Sequence, residues 1–157
     1  FCRHTGPALS PFNAWILSKS LETLAVRMEK HCANAFELAK ALEAHPEIKS
    51  VFYPFLPSHP QYELAKKQMR LGGGIVTFEI KGGLERSMQF LNRIKMISLS
   101  SNLGDTRTIV THPASTTHSK LKPEEQLAVG ITPGLIRISV GLEHIDDIKQ
   151  DITQALG

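Results

Sequence analysis

Along the first third of the chain, Leu17, Leu21, Leu24, Met28, Cys32, Ala35, Ala39 and Leu42 recur at three- and four-residue steps. That spacing is the period of a helix with one apolar face. Ser10-Pro11 supplies a start, because Ser can accept from the free amides of a first turn and Pro at the first helical position loses no hydrogen bond. His45 precedes Pro46 and is pushed out of helical geometry, so the predicted helix ends near Ala44. A single helix of that length is far above the average of about 11–12 residues. It reads as a strut tying the domain to something else.

After Pro46 the pattern alternates. IKSVFY (48–53) predicts a strand, HPQYELAKKQM (59–69) a short helix, and GIVTFEI (74–80) a strand with Val76, Phe78 and Ile80 on one face. Leu84, Met88, Leu91 and Ile94 mark a helix, MISLS (96–100) a third strand and TRTIVTH (106–112) a fourth. Pro123, Glu124 and Glu125 open a brief helix whose acidic first turn suits the positive end of the dipole. In LIRISVGLE (135–143), Ile136, Ile138, Val140 and Leu142 alternate with Leu135, Arg137, Ser139 and Gly141, one apolar face and one mostly polar. Ile145, Ile148, Ile152 and Leu156 lie on a final helix with Asp146 and Asp147 in its first turn. The fold class is therefore α/β: a small sheet with helices packed on one side, its other face free to meet a partner, preceded by a long connecting helix. The expected organisation is a strap and connecting helix over 1–45 and an α/β unit over 46–157.

Composition narrows the function classes. At 157 residues the chain suits one domain, since a chain of this size buries roughly 70% of its unfolded surface. Hydrophobic residues at 41% and charged residues at 21% match a soluble globular protein. The net charge of +3 is spread along the chain, which argues against a nucleic-acid footprint. No apolar run approaches the ~20 residues of a membrane span, and no basic segment followed by an apolar one opens the chain. Cys2 and Cys32 have neither metal-ligand spacing nor disulfide-scaffold density, so reduced thiols, no disulfide and a cytoplasmic setting are expected. The opening FCRHTGPALSP has no initiator Met and no element start, which suggests a piece of a longer polypeptide.

Candidate chemistry is sparse. Gly72-Gly73-Gly74 precedes a strand instead of opening a helix, so a turn is expected and not a phosphate loop. His112 and His118 lack companions for a metal set, and no metal is expected. Gly-x-Ser-x-Gly is absent. Arg137 in mid-strand is either a surface residue or one whose planar fork is aimed at a carboxylate or phosphate; the pattern leaves both open.

Taken together, TGPALSPFNAWILSKSLETLAVRM, YPFLPSHPQYELAKKQM, GGGIVTFEI, ISLSSNLGDTRTIVTHPASTTH and GLIRISVGLEHIDDIKQDI resemble, in order and spacing, the C-terminal part of the pyridoxal-phosphate-dependent enzymes of cysteine and methionine metabolism. These include cystathionine γ-synthase, cystathionine γ-lyase, methionine γ-lyase and the homoserine-ester sulfhydrylases. NLGDTRT followed by THPASTTH, with Asn102 where the lyases and cystathionine synthases usually carry Ser, looks most like the O-succinylhomoserine sulfhydrylases. The resemblance implies the C-terminal domain of a fold-type I enzyme, with a small, mostly antiparallel sheet. It also implies that Arg137 grips a substrate α-carboxylate, that Asn102 hydrogen-bonds beside it, and that Thr117 supports Arg137. Arg107 is the competitor for the carboxylate. The polar groups of 101–118 are expected to face a cleft shared with a cofactor domain. Neither catalytic nor cofactor-binding residues are expected within this chain; the Schiff-base lysine and the pyridoxal phosphate site are expected in an N-terminal domain, its partner. The implied assembly is a homotetramer, with no nucleic-acid or membrane partner.

Overall fold

The structure, a computed structural model, describes residues 9–157; Cys2 and the first part of the strap lie outside the described residues. Helix α1 (Pro11–Glu22) opens as anticipated, with the Ser10 hydroxyl accepting from the Asn13 amide at 3.2 Å and Pro11 at the first helical position. It does not run on to Ala44. Thr23, at φ −104° and ψ 3°, separates it from α2 (Leu24–Glu43). Here the Thr23 hydroxyl donates to the Ser20 carbonyl, which also accepts from Arg27 Nη2. Hydroxyl side chains of this kind compete with the helical ladder. The apolar stripe passes through the break unchanged, which is why spacing predicted one helix.

The stripe also divides in its surroundings. Leu17, Leu21, Leu24 and Met28 are exposed, whereas Cys32, Ala35, Leu38, Ala39 and Leu42 are buried against the sheet. The second half of α2 therefore belongs to the core of the α/β unit.

The remaining elements are β1 (Ile48–Phe52), α3 (Tyr62–Gln68), β2 (Ile75–Ile80), α4 (Gly83–Arg93), β3 (Ser98–Leu99), β4 (Ile109–Thr111), a 3-10 turn (Pro113–Ser115), α5 (Pro123–Ala128), β5 (Leu135–Ser139) and α6 (Ile145–Leu156). The strands form one sheet in the order β1-β2-β5-β4-β3. Every pairing is antiparallel except β3 with β4. The mixed, mostly antiparallel sheet agrees with the expected class. Its two central strands turn Val76, Phe78, Ile80, Ile136 and Ile138 into a core completed by α2, α4 and α6. Phe78 meets Phe90 of α4 edge-on, centroids 5.9 Å apart, the arrangement aromatic quadrupoles favour.

Polar pins hold these layers together. The Asp151 carboxylate on α6 accepts from the amides of Lys95, Met96 and Ile97, each at 2.9 Å, and so fixes the α4–β3 connection. The three glycines form the expected turn for a packing reason. Tyr53 is buried with its hydroxyl donating to the Gly73 carbonyl at 3.0 Å; a Cβ at Gly72 would lie 2.5 Å from that hydroxyl, and Gly73 has φ +84°.

Two outcomes follow for stability. Asp151→Ala leaves three amides without their acceptor and should lower the urea unfolding free energy by roughly 2–4 kcal/mol, with Asp151→Asn losing less; equal stability of Asp151→Ala and wild type would sink this assignment. Burial, and less strongly the neighbouring Cys32 thiol, raise the Tyr53 phenol well above its ordinary value. The unfolded phenol ionises near pH 10 while the folded one stays protonated, so its contribution is intact below about pH 10 and is lost as pH rises beyond it. Urea midpoints measured across pH 9–12 should fall less steeply in Tyr53→Phe than in wild type.

Candidate functional site

The site is built on the sheet face away from the helices. Arg137 sits mid-strand in β5, in register with Thr77 of β2 on one side and Thr111 of β4 on the other. Ile136 and Ile138, its neighbours in sequence, point into the core and are fully buried. The period-2 alternation of a strand therefore forces the guanidinium to the other face. There Nη2 donates to the carbonyls of Ser101 at 2.7 Å and Asn102 at 3.2 Å. Nε is buried and has no hydrogen-bond partner. A buried donor without a partner is costly, and a carboxylate is the acceptor that a guanidinium fork suits.

The stretch 101–118 splits into two parts. Ser101, Asn102, Leu103, Gly104, Thr106 and Arg107 are exposed. By contrast His112 is buried, with Nε2 donating to the Pro133 carbonyl at 2.9 Å and Nδ1 accepting from Ser115. Thr111 donates to the Thr116 hydroxyl at 2.9 Å, which in turn donates to the His112 carbonyl. Many hydroxyls of this stretch thus satisfy one another, and His112 is structural. Ser100, Ser101, Thr111, Ser115 and Thr116 line a cleft of about 310 Å³ together with the apolar Leu91, Leu99 and Val110. Arg137 is not among its lining residues, and what links the two is Ser101, whose carbonyl holds Nη2.

Of the residues singled out in the sequence, Arg137 and Asn102 are brought together, through the Asn102 main chain and not its side chain. The Thr117 hydroxyl is hydrogen-bonded with His118 Nδ1 at 2.8 Å and makes no hydrogen bond to Arg137. Arg107, the competitor, is exposed and lies 3.4 Å from the Asp105 carboxylate. Asp105 is held below the usual carboxylate range chiefly by hydrogen bonds from the Arg107 backbone and side chain. Arg107 is thus already paired, whereas Arg137 has a donor to spare.

Residues not foreseen as functional hold the loop in place. Glu143 accepts from the Thr108 amide at 2.7 Å and from its hydroxyl at 2.8 Å, and that hydroxyl accepts from the Gly141 amide at 2.8 Å. The Ser139 hydroxyl accepts from the Gly104 amide at 2.9 Å. The signal was present in SVGLE itself, whose Ser, Gly and Glu are all used. Reading it required knowing that residues 104–108 lie alongside.

The chain matches the model of the Cys/Met metabolism PLP-dependent enzymes over residues 1–157, and it belongs to that family. It is 49% identical over 156 residues to an O-succinylhomoserine sulfhydrylase of Pseudomonas aeruginosa, covering 99% of this chain and 39% of that protein. An L-methionine gamma-lyase of Porphyromonas gingivalis is 50% identical over 152 residues, covering 97% of this chain and 38% of that protein. A solved Campylobacter jejuni structure, described as an O-acetylhomoserine (thiol)-lyase carrying N'-pyridoxyl-lysine-5'-monophosphate, superposes with a TM-score of 0.92 at 44% identity over 98% of this chain and 37% of that one. The chain thus spans about two-fifths of the length of the relatives it matches.

The family is pyridoxal-phosphate-dependent. The donor here, one guanidinium whose Nε has no partner, suits a carboxylate. The glycine-rich turn does not fit a phosphate, because its amides precede β2 and Tyr53 fills the space beside Gly72. Among the described residues no cluster of three His, Cys, Asp or Glu could hold a metal ion. No helix among them is long and apolar enough to cross a membrane.

Gly141 tests the packing of this site. A Cβ there would lie 2.4 Å from both the Thr108 amide nitrogen and a Glu143 oxygen. Gly141→Ala should therefore cost about 1–3 kcal/mol in urea unfolding, as overpacked sites do; a variant as stable as wild type would mean that the Thr108–Glu143 contact is looser than its distances indicate.

Proposed function

We propose that this chain is the substrate-carboxylate side of a pyridoxal-phosphate-dependent γ-replacement enzyme, an O-succinylhomoserine sulfhydrylase that makes homocysteine from O-succinylhomoserine and sulfide. Pyridoxal phosphate, when bound, supplies the electron sink for chemistry at the amino acid's carbons. The observation that carries the reading is Arg137, with Nη2 held by two main-chain carbonyls and Nε left unpaired. Arg137 would bind the α-carboxylate and hold the amino acid in one orientation, and such positioning can lower a barrier by several kcal/mol. Asn102, exposed beside it, would contribute a side-chain hydrogen bond, with Thr117 at the rim. The choice of the succinyl ester rests on NLGDTRT and THPASTTH. The similarity to an L-methionine gamma-lyase supports γ-elimination as the second reading, and a carboxylate clamp serves both reactions alike.

The connecting segment is part of the same proposal. Phe12, Trp15, Leu17 and Leu21 of α1 are all more than half exposed, and exposed apolar faces of this kind mark contact surfaces. In this reading α1 packs on an N-terminal domain that carries the pyridoxal phosphate, within a cytoplasmic homotetramer.

Arg137→Lys in the full-length protein replaces a fork by a point charge. It should raise the KM for O-succinylhomoserine and lower kcat/KM by about 1.5–3 kcal/mol. Steady-state kinetics equal to wild type would remove Arg137 from the carboxylate. Product analysis separates the readings, since homocysteine formed from ester and sulfide supports γ-replacement, and 2-oxobutanoate released without sulfide incorporation supports γ-elimination.

A further inference from the structure

The exposed segment from Ser101 to Arg107 has no regular secondary structure and no buried residue, yet it supplies both carbonyls that hold Arg137. Side-chain packing therefore does not fix its path. Hydrogen bonds do: the Ser100 amide donates to the Val110 carbonyl at 3.0 Å, the Asn102 amide to the Ser100 hydroxyl at 3.2 Å and the Arg107 amide to Asp105 at 2.9 Å. The bonds that close the far end of the loop come from β5 and the turn that follows it. Ser139 takes the Gly104 amide, the Leu142 amide donates to the Thr106 carbonyl at 2.8 Å, and Glu143 takes both the amide and the hydroxyl of Thr108. The Thr108 hydroxyl is the hub, because it donates to Glu143 while accepting from the Gly141 amide. Thr108 itself is fully buried and Glu143 half-buried, so bonds lost there are not replaced by water at no cost.

We propose that Thr108, through its clasp with Glu143 and Gly141, is a positioning residue for substrate recognition: it fixes the carbonyls of Ser101 and Asn102, and through them the guanidinium of Arg137. The inference rests on the carboxylate role of Arg137. The chain of contacts runs from the strand end, through one hydroxyl, along the loop and back to mid-strand. Loosening the clasp lets the 101–102 carbonyls drift. Arg137 then samples several rotamers, and ordering it again on binding weakens ground-state and transition-state binding together. That pattern raises KM and leaves kcat nearly unchanged.

The test uses the full-length, cofactor-loaded protein with Thr108→Val, which keeps the shape and removes the hydroxyl, and Thr108→Ser, which restores it. Thr108→Val should raise the KM for the homoserine ester by roughly tenfold with kcat within about twofold, and Thr108→Ser should stay within about threefold of wild-type KM. Independently of activity, hydrogen exchange at the amides of residues 101–107 should speed up about tenfold in Thr108→Val and not in Thr108→Ser. If Thr108→Val does not accumulate, Glu143→Gln keeps an acceptor for the Thr108 amide and replaces the other carboxylate oxygen by an NH2 group. A KM rise of about threefold there supports the proposal, and an unchanged KM overturns it. An unchanged KM in Thr108→Val, or equal damage in Thr108→Val and Thr108→Ser, while Arg137→Lys raises KM, overturns the positioning role alone. A wild-type KM in Arg137→Lys overturns the carboxylate reading, and this inference with it.

Discussion

A single carboxylate holding the amide and hydroxyl of one threonine sets the geometry on which this side of the sheet depends. Glu143 grips Thr108, and β4 begins at the next residue, Ile109. The clasp therefore fixes where β4 enters the sheet, pairing Ile109 with Ser139, Val110 with Ile138 and Thr111 with Arg137. A slip of one residue would turn Val110 out of the core and reverse every neighbour. The same clasp closes the loop that carries Ser101 and Asn102 over Arg137. One set of hydrogen bonds thus specifies the register of a buried strand and the pose of a half-buried guanidinium.

The helix side uses the same device on the same turn. Asn34 of α2 donates to the carbonyls of Gly141 and Glu143, each at 2.9 Å, and His31 Nδ1 lies 2.5 Å from the Val140 carbonyl. The turn after β5 is thereby held from both faces, by α2 below and by Thr108 above. Individually such bonds add on the order of 1 kcal/mol, but each costs more when one partner is removed and the other stays buried. That asymmetry makes them suited to fixing position. The apolar core of Phe78, Ile136, Ile138 and Phe90 contributes most of the driving force, yet a non-directional force would tolerate many loop arrangements. The polar pins select one.

Much of the architecture was legible because alternation and helical spacing report burial directly. The strands around Val76 to Ile80 and Ile136 to Ile138 appeared where the pattern put them, and both caps at Ser10-Pro11 and His45-Pro46 acted by local chemistry that needs no tertiary context. The break at Thr23 was not legible, since the apolar stripe carries no information about a hydroxyl turning back onto its own helix. The buried state of His112 was also hidden, because its partners, Ser115 and the Pro133 carbonyl, come from a turn and from a residue some twenty positions away.

The sequence by itself determined which face of β5 Arg137 occupies, because a strand's period of two leaves no choice once Ile136 and Ile138 are buried. It also determined the family, since motifs of that length and order are not matched by composition alone. Only the tertiary structure decided that Arg137 is held by main-chain carbonyls and that Thr108 and Glu143 hold the end of the loop over residues 101–107. Those are contacts between segments about 35 residues apart, and hydrogen-bond geometry over such separations is set by how the strands stack, which no local pattern encodes.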